Sequence, residues 1–181
     1  MTLERILEDE VMDSDEEARD YDQMDHGEVN RLFVSDLIEA GEVAGDILDL
    51  GTGTAQIPVE LCGQMDAQED ADVEFRILAV DLSPNMLDLA RYNIEVACVI
   101  EKVFLGQVDA KDMPYEDDMF DMVMSNSIVH HIPNPEVAIR ESVRIVRDGG
   151  RLFFRDLLRP DSAETLQQLV AISGQVKTRR L

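Results

Sequence analysis

The sequence has few cysteines and no long apolar run, and each shortage excludes a class of protein. The two cysteines, Cys62 and Cys98, have no paired spacing, which argues against a disulfide framework or a zinc site and favours a reducing compartment. No apolar segment approaches the roughly 20 residues that a membrane-spanning helix needs. The first residues lack the basic start and apolar stretch of a signal peptide. A soluble, cytoplasmic protein is therefore expected.

Basic residues are also scarce, with 16 Lys and Arg against 39 Asp and Glu and a net charge of -23. So acidic a surface repels phosphate backbones, which makes nucleic acid a poor substrate. It also disfavours docking on anionic membranes. We therefore expect neither a nucleic-acid nor a membrane partner, although acidity alone names no ligand. No cluster of metal-ligating residues is evident in the sequence, and no metal site is predicted.

At 181 residues the chain is long enough for one domain with a real core. Residues 1–27 are rich in Asp and Glu and are interpreted as an acidic arm or lid, while residues 28–181 are interpreted as the domain proper. The first helix of that domain ends near Gly41. It is expected to bury five residues at helical spacing, namely Val29, Leu32, Phe33, Leu37 and Ala40.

Short apolar segments alternate with helical patterns along the rest of the chain. Buried strands are predicted over residues 47–50, 75–80, 103–108, 120–125 and 152–154. Helices are predicted over 54–64, from Ser83-Pro84, from Asn134-Pro135 to Gly149-Gly150, and over 161–172. The third of these is expected to bury Ala138, Ile139, Ser142, Val143 and Val146. This alternation predicts a doubly wound α/β fold, with a mostly parallel sheet covered by helices on both faces.

Ligands of such sheets bind beyond the carboxyl ends of the strands. After the first strand, Gly51 and Gly53 allow a sharp turn that brings the backbone close to a ligand, and the following helix offers free amide groups to an anionic end. After the second strand, Asp81 is placed to accept hydrogen bonds from both hydroxyls of a ribose, although it also suits a cap of the Ser83 turn. Together these features indicate a nucleoside-containing cofactor.

The spacing of the same residues argues against a nicotinamide cofactor. A dinucleotide fingerprint has glycine or alanine at its sixth position and an acid about 20 residues further on. Here Gln56 occupies the sixth position, and Asp81 lies 30 residues after Gly51 (81 − 51). A nicotinamide-dependent oxidoreductase is therefore a distant alternative.

Four segments at the strand ends occur in one order: residues 48–54 (LDLGTGT), 81–87 (DLSPNML), 107–110 (QVDA) and 120–127 (FDMVMSNS). In this order they resemble the class I S-adenosylmethionine-dependent methyltransferases of the small-molecule group, and the likeness extends over roughly residues 28–160. The resemblance implies a Rossmann-like fold, S-adenosyl-L-methionine as cofactor and methyl transfer to a small-molecule acceptor.

The resemblance also implies roles for single residues at the methionine end of the cofactor. Asp49, Gly51 and Gly53 are expected to line this moiety, with Asp49 near its ammonium group and Asn126 close by. The full set of expected cofactor-binding residues is Asp49, Leu50, Gly51, Thr52, Gly53, Asp81, Leu82, Met86, Asp109, Ala110 and Asn126.

At the nucleoside end, the resemblance places Asp81 on the ribose hydroxyls and packs Leu82 and Met86 against the adenosine. Asp109 is expected to accept a hydrogen bond from the adenine amino group, with the Ala110 amide nearby. Each of the three aspartates ends a different strand, and each supplies an acceptor that one part of the cofactor needs.

No catalytic residue is predicted, because the cofactor itself carries the activation for methyl transfer. The pair His130-His131 is interpreted as structural, with a role as general base for an acidic hydroxyl as the alternative. The family's asparagine-proline-proline-aromatic motif is replaced by residues 125–128 (SNSI), which argues against nucleobase amines as acceptors. Arg140, Arg144 and Arg147 are interpreted as a solvated surface that pairs with nearby glutamates.

The chain departs from the family at its C-terminus. The family's sheet finishes with an antiparallel strand pair, whereas this chain stops at Leu181 after one further helix. Strand five is therefore expected to present an open edge, which a homodimer would cover. A non-catalytic or truncated cofactor-binding protein is the main alternative to an active enzyme. Residues 21–33 are the candidate lid over the substrate.

Overall fold

The computed structural model describes residues 7, 14–67, 73–158, 160, 162, 164, 165 and 167. Five strands and five helices follow one another: α1 (Asp15–Gln23), α2 (Gly27–Glu39), β1 (Gly45–Leu50), α3 (Gln56–Asp66), β2 (Phe75–Asp81), α4 (Pro84–Val96), β3 (Val103–Gln107), β4 (Phe120–Asn126), α5 (Pro135–Ile145) and β5 (Val146–Arg155). The helix predicted over 161–172 lies largely outside the described residues.

All strand pairs in the sheet are parallel, and the strand order is β3-β2-β1-β4-β5. The doubly wound α/β prediction is confirmed. The order reverses between β1 and β4, which is where such sheets bind ligands. In register, Asp49 of β1 stands beside Ala79 of β2 and Met124 of β4. The carboxyl ends of these three strands therefore meet at one edge of the sheet.

The core has two apolar layers, one on each face of the sheet. Consecutive β1 residues separate between them, because side chains alternate across a strand: Ile47 joins the layer under α2, α3 and α4, and Leu48 joins the layer that α5 covers. No helix in the described part of the chain has the length and apolarity that a bilayer crossing needs.

The inward face of α2 differs from the predicted one. Val29 and Leu32 are 53% and 55% exposed, whereas Asn30, Phe33, Val34 and Leu37 are buried. The polar Asn30 side chain can be buried because its Nδ2 donates a hydrogen bond to Gln56 Oε1 of α3 at 3.1 Å. The predicted Ala40 is exposed as well. The prediction selected apolar residues at helical spacing, whereas the buried face passes through Asn30 and Val34.

The boundary between α5 and β5 also differs. The helix ends at Ile145, and β5 begins at Val146 and runs through Gly149 and Gly150, which were expected to end the helix. A register shift opposite Phe120 and Met122 and a positive φ of 77° at Gly149 show that these glycines form an irregularity within the strand. The helix buries Ala138, Ser142 and Ile145, while the predicted Ile139 and Val143 are exposed.

Two helix starts bear on the site. The Ser83 side chain accepts from Met86 N at 3.3 Å, which confirms the predicted cap of α4. In contrast, α3 begins at Gln56, two residues later than predicted, because Ala55 adopts the left-handed conformation with φ 60°.

Candidate functional site

A crevice lies beyond the carboxyl ends of β1, β2, β3 and β4, where the strand order reverses. Most of the predicted cofactor residues line it: Leu50, Gly51, Gly53, Asp81, Leu82, Met86, Asp109, Ala110 and Asn126. The other two, Asp49 and Thr52, are buried beside it, with 2% and 8% of their surfaces exposed. The wall also includes residues that were not predicted to bind the cofactor: Tyr21, Ser83, Val108, Lys111, Ser127, Ile128, His131 and Ile132.

The turn after β1 depends on glycine at Gly51. Its φ is 74°, and a Cβ there would overlap the Ile128 side chain. The amides of Gly51 and Thr52 donate to Val80 O at 2.8 and 2.9 Å, so this turn is bonded to the end of β2. These two amides are therefore used by the neighbouring strand and are not available to a ligand.

Two carboxylate or amide oxygens at the crevice lack a hydrogen-bond partner among the described residues, as does the neighbouring Thr52 hydroxyl. The two oxygens are Asp49 Oδ2 at the end of β1 and Asn126 Oδ1 at the end of β4, and both atoms are buried. Burial raises the pKa of Asp49 to about 7; the Thr52 hydroxyl nearby opposes this rise, and the charge of Asp81 adds to it. A buried acceptor without a donor costs free energy, so this end of the crevice is suited to a ligand that brings donors or positive charge.

Asp81 holds the turn and faces the crevice at the same time. Its Oδ2 accepts from Gly53 N at 2.8 Å, and its Oδ1 accepts from Ser83 N at 2.9 Å. Burial raises the pKa of Asp81, and these backbone hydrogen bonds oppose the rise. A carboxylate has about four acceptor sites, and the amides of Gly53, Ser83 and Leu82 use at most three of them, so Asp81 keeps capacity for a ligand. The capping role and the ligand role are thus compatible.

Asp109 follows β3, an edge strand of the sheet, lines the crevice and is paired with Lys111. Its Oδ1 accepts from Lys111 N at 2.9 Å and forms an ion pair with Lys111 Nζ at 2.9 Å. Burial acts to raise the pKa of Asp109, but the hydrogen bonds and charge of Lys111 outweigh it and the pKa is lowered. Asp109 is therefore a charged acceptor at neutral pH.

Helix α1 brings Tyr21 over the glycine turn. A Cβ at Gly53 would stand 3.4 Å from Tyr21 Cε1, at van der Waals contact, and the φ of 57° is what favours glycine at this position. The neighbouring Asp22 is held to the core, because Asn93 Nδ2 donates to Asp22 Oδ1 at 2.8 Å and to Thr54 O at 3.0 Å. Burial raises the pKa of Tyr21, and the charges of Asp81, Asp49 and Asp22 add to it.

The two histidines after β4 have different surroundings. His130 Nδ1 lies 2.6 Å from Asp156 Oδ1, and the other oxygen of Asp156 accepts from Val129 N at 2.7 Å. The His130 ring packs on His131 with centroids 4.1 Å apart, and His131 lines the crevice. Among the described residues, no group of three or more His, Cys, Asp or Glu side chains is arranged to hold a metal ion.

The lining residues that were missed carry weak signals in the sequence. Tyr21 lies within the segment proposed as a lid, but nothing local shows that it meets Gly53, 32 positions away (53 − 21). Ile128 and His131 follow β4, and the rule that ligands bind beyond the carboxyl ends of strands could have indicated them as it indicated Asn126. Lys111 follows Asp109 by two residues, a spacing that suits a turn.

Three comparisons bear on the identity of this site. A family model described as "Methyltransferase domain" matches residues 48–154, more than half of the chain. The 27-O-demethylrifamycin SV methyltransferase of Amycolatopsis mediterranei is 29% identical over 125 residues, which are 68% of this chain and 43% of the relative. The ubiquinone/menaquinone biosynthesis C-methyltransferase UbiE of Vibrio campbellii is 26% identical over 148 residues, 79% of this chain and 55% of the relative.

The chain thus spans about half the length of these two curated relatives. Among solved structures, a Methanococcus maripaludis protein assigned as an S-adenosyl-L-methionine-dependent methyltransferase superposes with a TM-score of 0.72 at 23% identity, over 92% of this chain and 73% of that chain. This likeness shows a shared fold. With the match over residues 48–154, it confirms the predicted family: the chain belongs to the class I S-adenosylmethionine-dependent methyltransferases.

Proposed function

We propose that this protein transfers a methyl group from S-adenosyl-L-methionine to a small-molecule acceptor. The observation that carries the proposal is the order of acceptors along the carboxyl edge of the sheet. In the strand order β4-β1-β2-β3, Asn126 ends β4 and Asp49 lies near the end of β1, while Asp81 ends β2 and Asp109 follows β3. An adenosyl amino acid presents an ammonium group, a ribose diol and an adenine amino group in the same order.

The methionine end fits the two unpartnered acceptors. Asp49 Oδ2 and Asn126 Oδ1 are buried and lack donors among the described residues, and an ammonium group would supply both. Bringing that positive charge beside Asp49 would also offset the burial that raises its pKa. Leu82 and Met86 then offer apolar contacts to the adenosine between the two ends.

When bound, the cofactor supplies an activated methyl group on a sulfonium centre. The chain's own residues hold the reactants in line and exclude water. Ser127, Ile128, His131 and Ile132 form the wall beyond Asn126, and we place the acceptor there. His131 is the titratable group on this wall, and it is our candidate to take a proton from an acidic hydroxyl.

A turnover measurement tests the proposed activity. Protein is incubated with methyl-labelled S-adenosyl-L-methionine and a panel of phenols, quinols and macrocyclic alcohols, and label is counted in the organic product. We expect acceptor-dependent transfer, with a His131→Asn variant slower on hydroxyl acceptors. Asp88→Asn on the exposed face of α4 is the control and should retain full activity.

Binding without turnover is the second candidate function. Tight binding of S-adenosylhomocysteine, with no label transferred to any member of the panel, would favour this candidate over the enzyme.

We propose that α1 acts as a lid on the cofactor. Support comes from Tyr21 in the crevice wall and from the hydrogen bond between Asn93 and Asp22. Tyr21→Ala is expected to weaken S-adenosylhomocysteine binding about tenfold, mainly through faster dissociation. Stopped-flow displacement measures this rate, with Tyr92→Ala, an exposed tyrosine of α4, as the control. Equal dissociation from wild type and Tyr21→Ala would rule out the lid.

We further propose a cytoplasmic protein without a nucleic-acid partner, on the strength of two free cysteines and a net charge of -23. A homodimer through β5 is proposed because β5 is one of the two edge strands of the described sheet. Sedimentation velocity distinguishes monomer from dimer.

A further inference from the structure

The wall that faces the adenine end belongs to the loop between β3 and β4, residues 108–119. Val108, Asp109, Ala110 and Lys111 line the crevice from its first part. A tight turn joins this part to the second, since Asp112 N donates to Asp109 O at 3.0 Å. The position of Asp109 therefore depends on where residues 113–118 are held.

Arg144 of α5 holds that second part by its backbone. Its Nη2 donates to Met113 O at 3.0 Å, and its Nη1 donates to Tyr115 O at 2.7 Å and to Asp117 Oδ1 at 2.9 Å. In return, Asp118 N donates to Arg144 O at 3.1 Å. One side chain thus grips the loop at successive points along residues 113–118.

Glu141, one helical turn earlier, orients the guanidinium group. Its Oε1 and Oε2 accept from Arg144 Nε and Nη2 at 2.9 and 2.7 Å, and Oε2 also accepts from Met113 N at 3.2 Å. The predicted pairing of this arginine with a nearby glutamate is present, but its guanidinium also donates to main-chain carbonyls, which the prediction of a solvated surface did not include. A planar fork with several donors makes this set of contacts, and a lysine ammonium does not.

We propose that Arg144, oriented by Glu141, is a positioning residue that sets how the protein discriminates the base of its cofactor. The proposal rests on the proposed function, because it takes Asp109 as the acceptor for the adenine amino group. Anchoring residues 113–118 to α5 holds the turn at 109–112 in place, and Asp109 then meets a donor at hydrogen-bond distance. A carboxylate held there favours an amino group and repels a carbonyl oxygen.

Competition between two ligands tests the proposal. S-adenosylhomocysteine carries an amino group on its base, and S-inosylhomocysteine carries a carbonyl oxygen at the same place. Calorimetry on wild type is expected to show at least about tenfold preference for the adenine ligand. Arg144→Met should lose most of that preference, and Arg144→Lys and Glu141→Gln should lose part of it. Arg140→Met, an exposed arginine of the same helix, is the matched control and should keep it.

The ratio of the two affinities separates positioning from general destabilisation, which weakens both ligands by the same factor. An unchanged ratio in the folded Arg144 and Glu141 variants would overturn the proposal, whatever the absolute affinities. If Arg144→Met does not fold, the affinity ratios of Arg144→Lys and Glu141→Gln still test the proposal.

Hydrogen exchange adds a measurement that needs no ligand: the amides of residues 109–118 should exchange faster in the variants than in wild type. If wild type binds neither ligand, the proposed function is refuted instead. Unaltered hydrogen exchange in this loop would by itself refute the anchoring of residues 113–118 by Arg144.

Discussion

Replacing Asp49 with asparagine is expected to stabilise the ligand-free protein at pH 8 and to weaken its binding of S-adenosylhomocysteine. Burial raises the pKa of Asp49 to about 7 from the ordinary value of 3.8. Between these values the folded protein keeps a proton that the unfolded chain releases, so stability falls as pH rises through this window and is lowest above pH 7. Asparagine has the same shape and no charge, so the penalty disappears.

The gain in free energy of unfolding at pH 8 should be roughly 1 to 4 kcal/mol, given about 1.4 kcal/mol for each unit of pKa shift. Thermal unfolding of wild type and Asp49→Asn from pH 4 to pH 8 measures it. The two curves should converge near pH 4 and separate toward pH 8. The control is Asp46→Asn at the other end of β1, where a half-exposed ion pair with Arg76 is worth little.

The same substitution should lower the affinity for S-adenosylhomocysteine about 30-fold, because a charge-assisted hydrogen bond to a buried carboxylate is lost. 5′-Methylthioadenosine lacks the amino-acid end and should bind both proteins equally. In wild type, affinity for S-adenosylhomocysteine should fall as pH drops below 7, since Asp49 must lose its proton to meet the ammonium group. A pH-independent affinity, or an equal loss for both ligands, would contradict this role.

Asp81→Ala is expected to lower the affinity for both S-adenosylhomocysteine and 5′-methylthioadenosine by about 100-fold or more. Two hydrogen bonds to ribose hydroxyls are lost, at roughly 1.5 to 3 kcal/mol each for a charged acceptor. The substitution also removes the partner of Gly53 N and Ser83 N, which loosens the turn. Asp49→Asn and Asp81→Ala should thus differ in which part of the ligand they affect.

Calorimetry with S-adenosylhomocysteine and 5′-methylthioadenosine measures this contrast. Asp88→Ala on the exposed face of α4 is the control, because its carboxylate pairs only with Arg91 at the surface among the described contacts. Circular dichroism confirms that Asp81→Ala remains folded. Retention of near-wild-type affinity for 5′-methylthioadenosine would remove Asp81 from the nucleoside site.

The fold was largely predictable because the signals are local. Each strand is a short apolar run that ends in glycine or a polar residue, and Ser83-Pro84 starts α4 as a cap and proline should. The α5–β5 boundary was not predictable in this way. Gly149 and Gly150 suit a helix end as well as a strand irregularity, and pairing of Val146 with Phe120 decides between them.

The part of the candidate site that lies directly after the strands was predictable, because ligands of parallel sheets bind beyond the carboxyl ends of the strands. This rule brought Asp81, Asp109 and Asn126 to one crevice, because parallel strands end at the same edge. Contacts between segments distant in sequence were not predictable from this rule. The burial of the Asn30 side chain depends on Gln56, and the role of Arg144 depends on carbonyls of a loop about 30 residues earlier in the chain.

The most direct measurement is a calorimetric titration of the unaltered protein at pH 7.5 with S-adenosylhomocysteine and, separately, with NAD. The arrangement of Asp49, Asp81 and Asp109 predicts one site per chain for S-adenosylhomocysteine and no heat of binding for NAD. Binding of NAD in its place, or no binding of either ligand, would contradict a crevice built for an adenosyl amino acid.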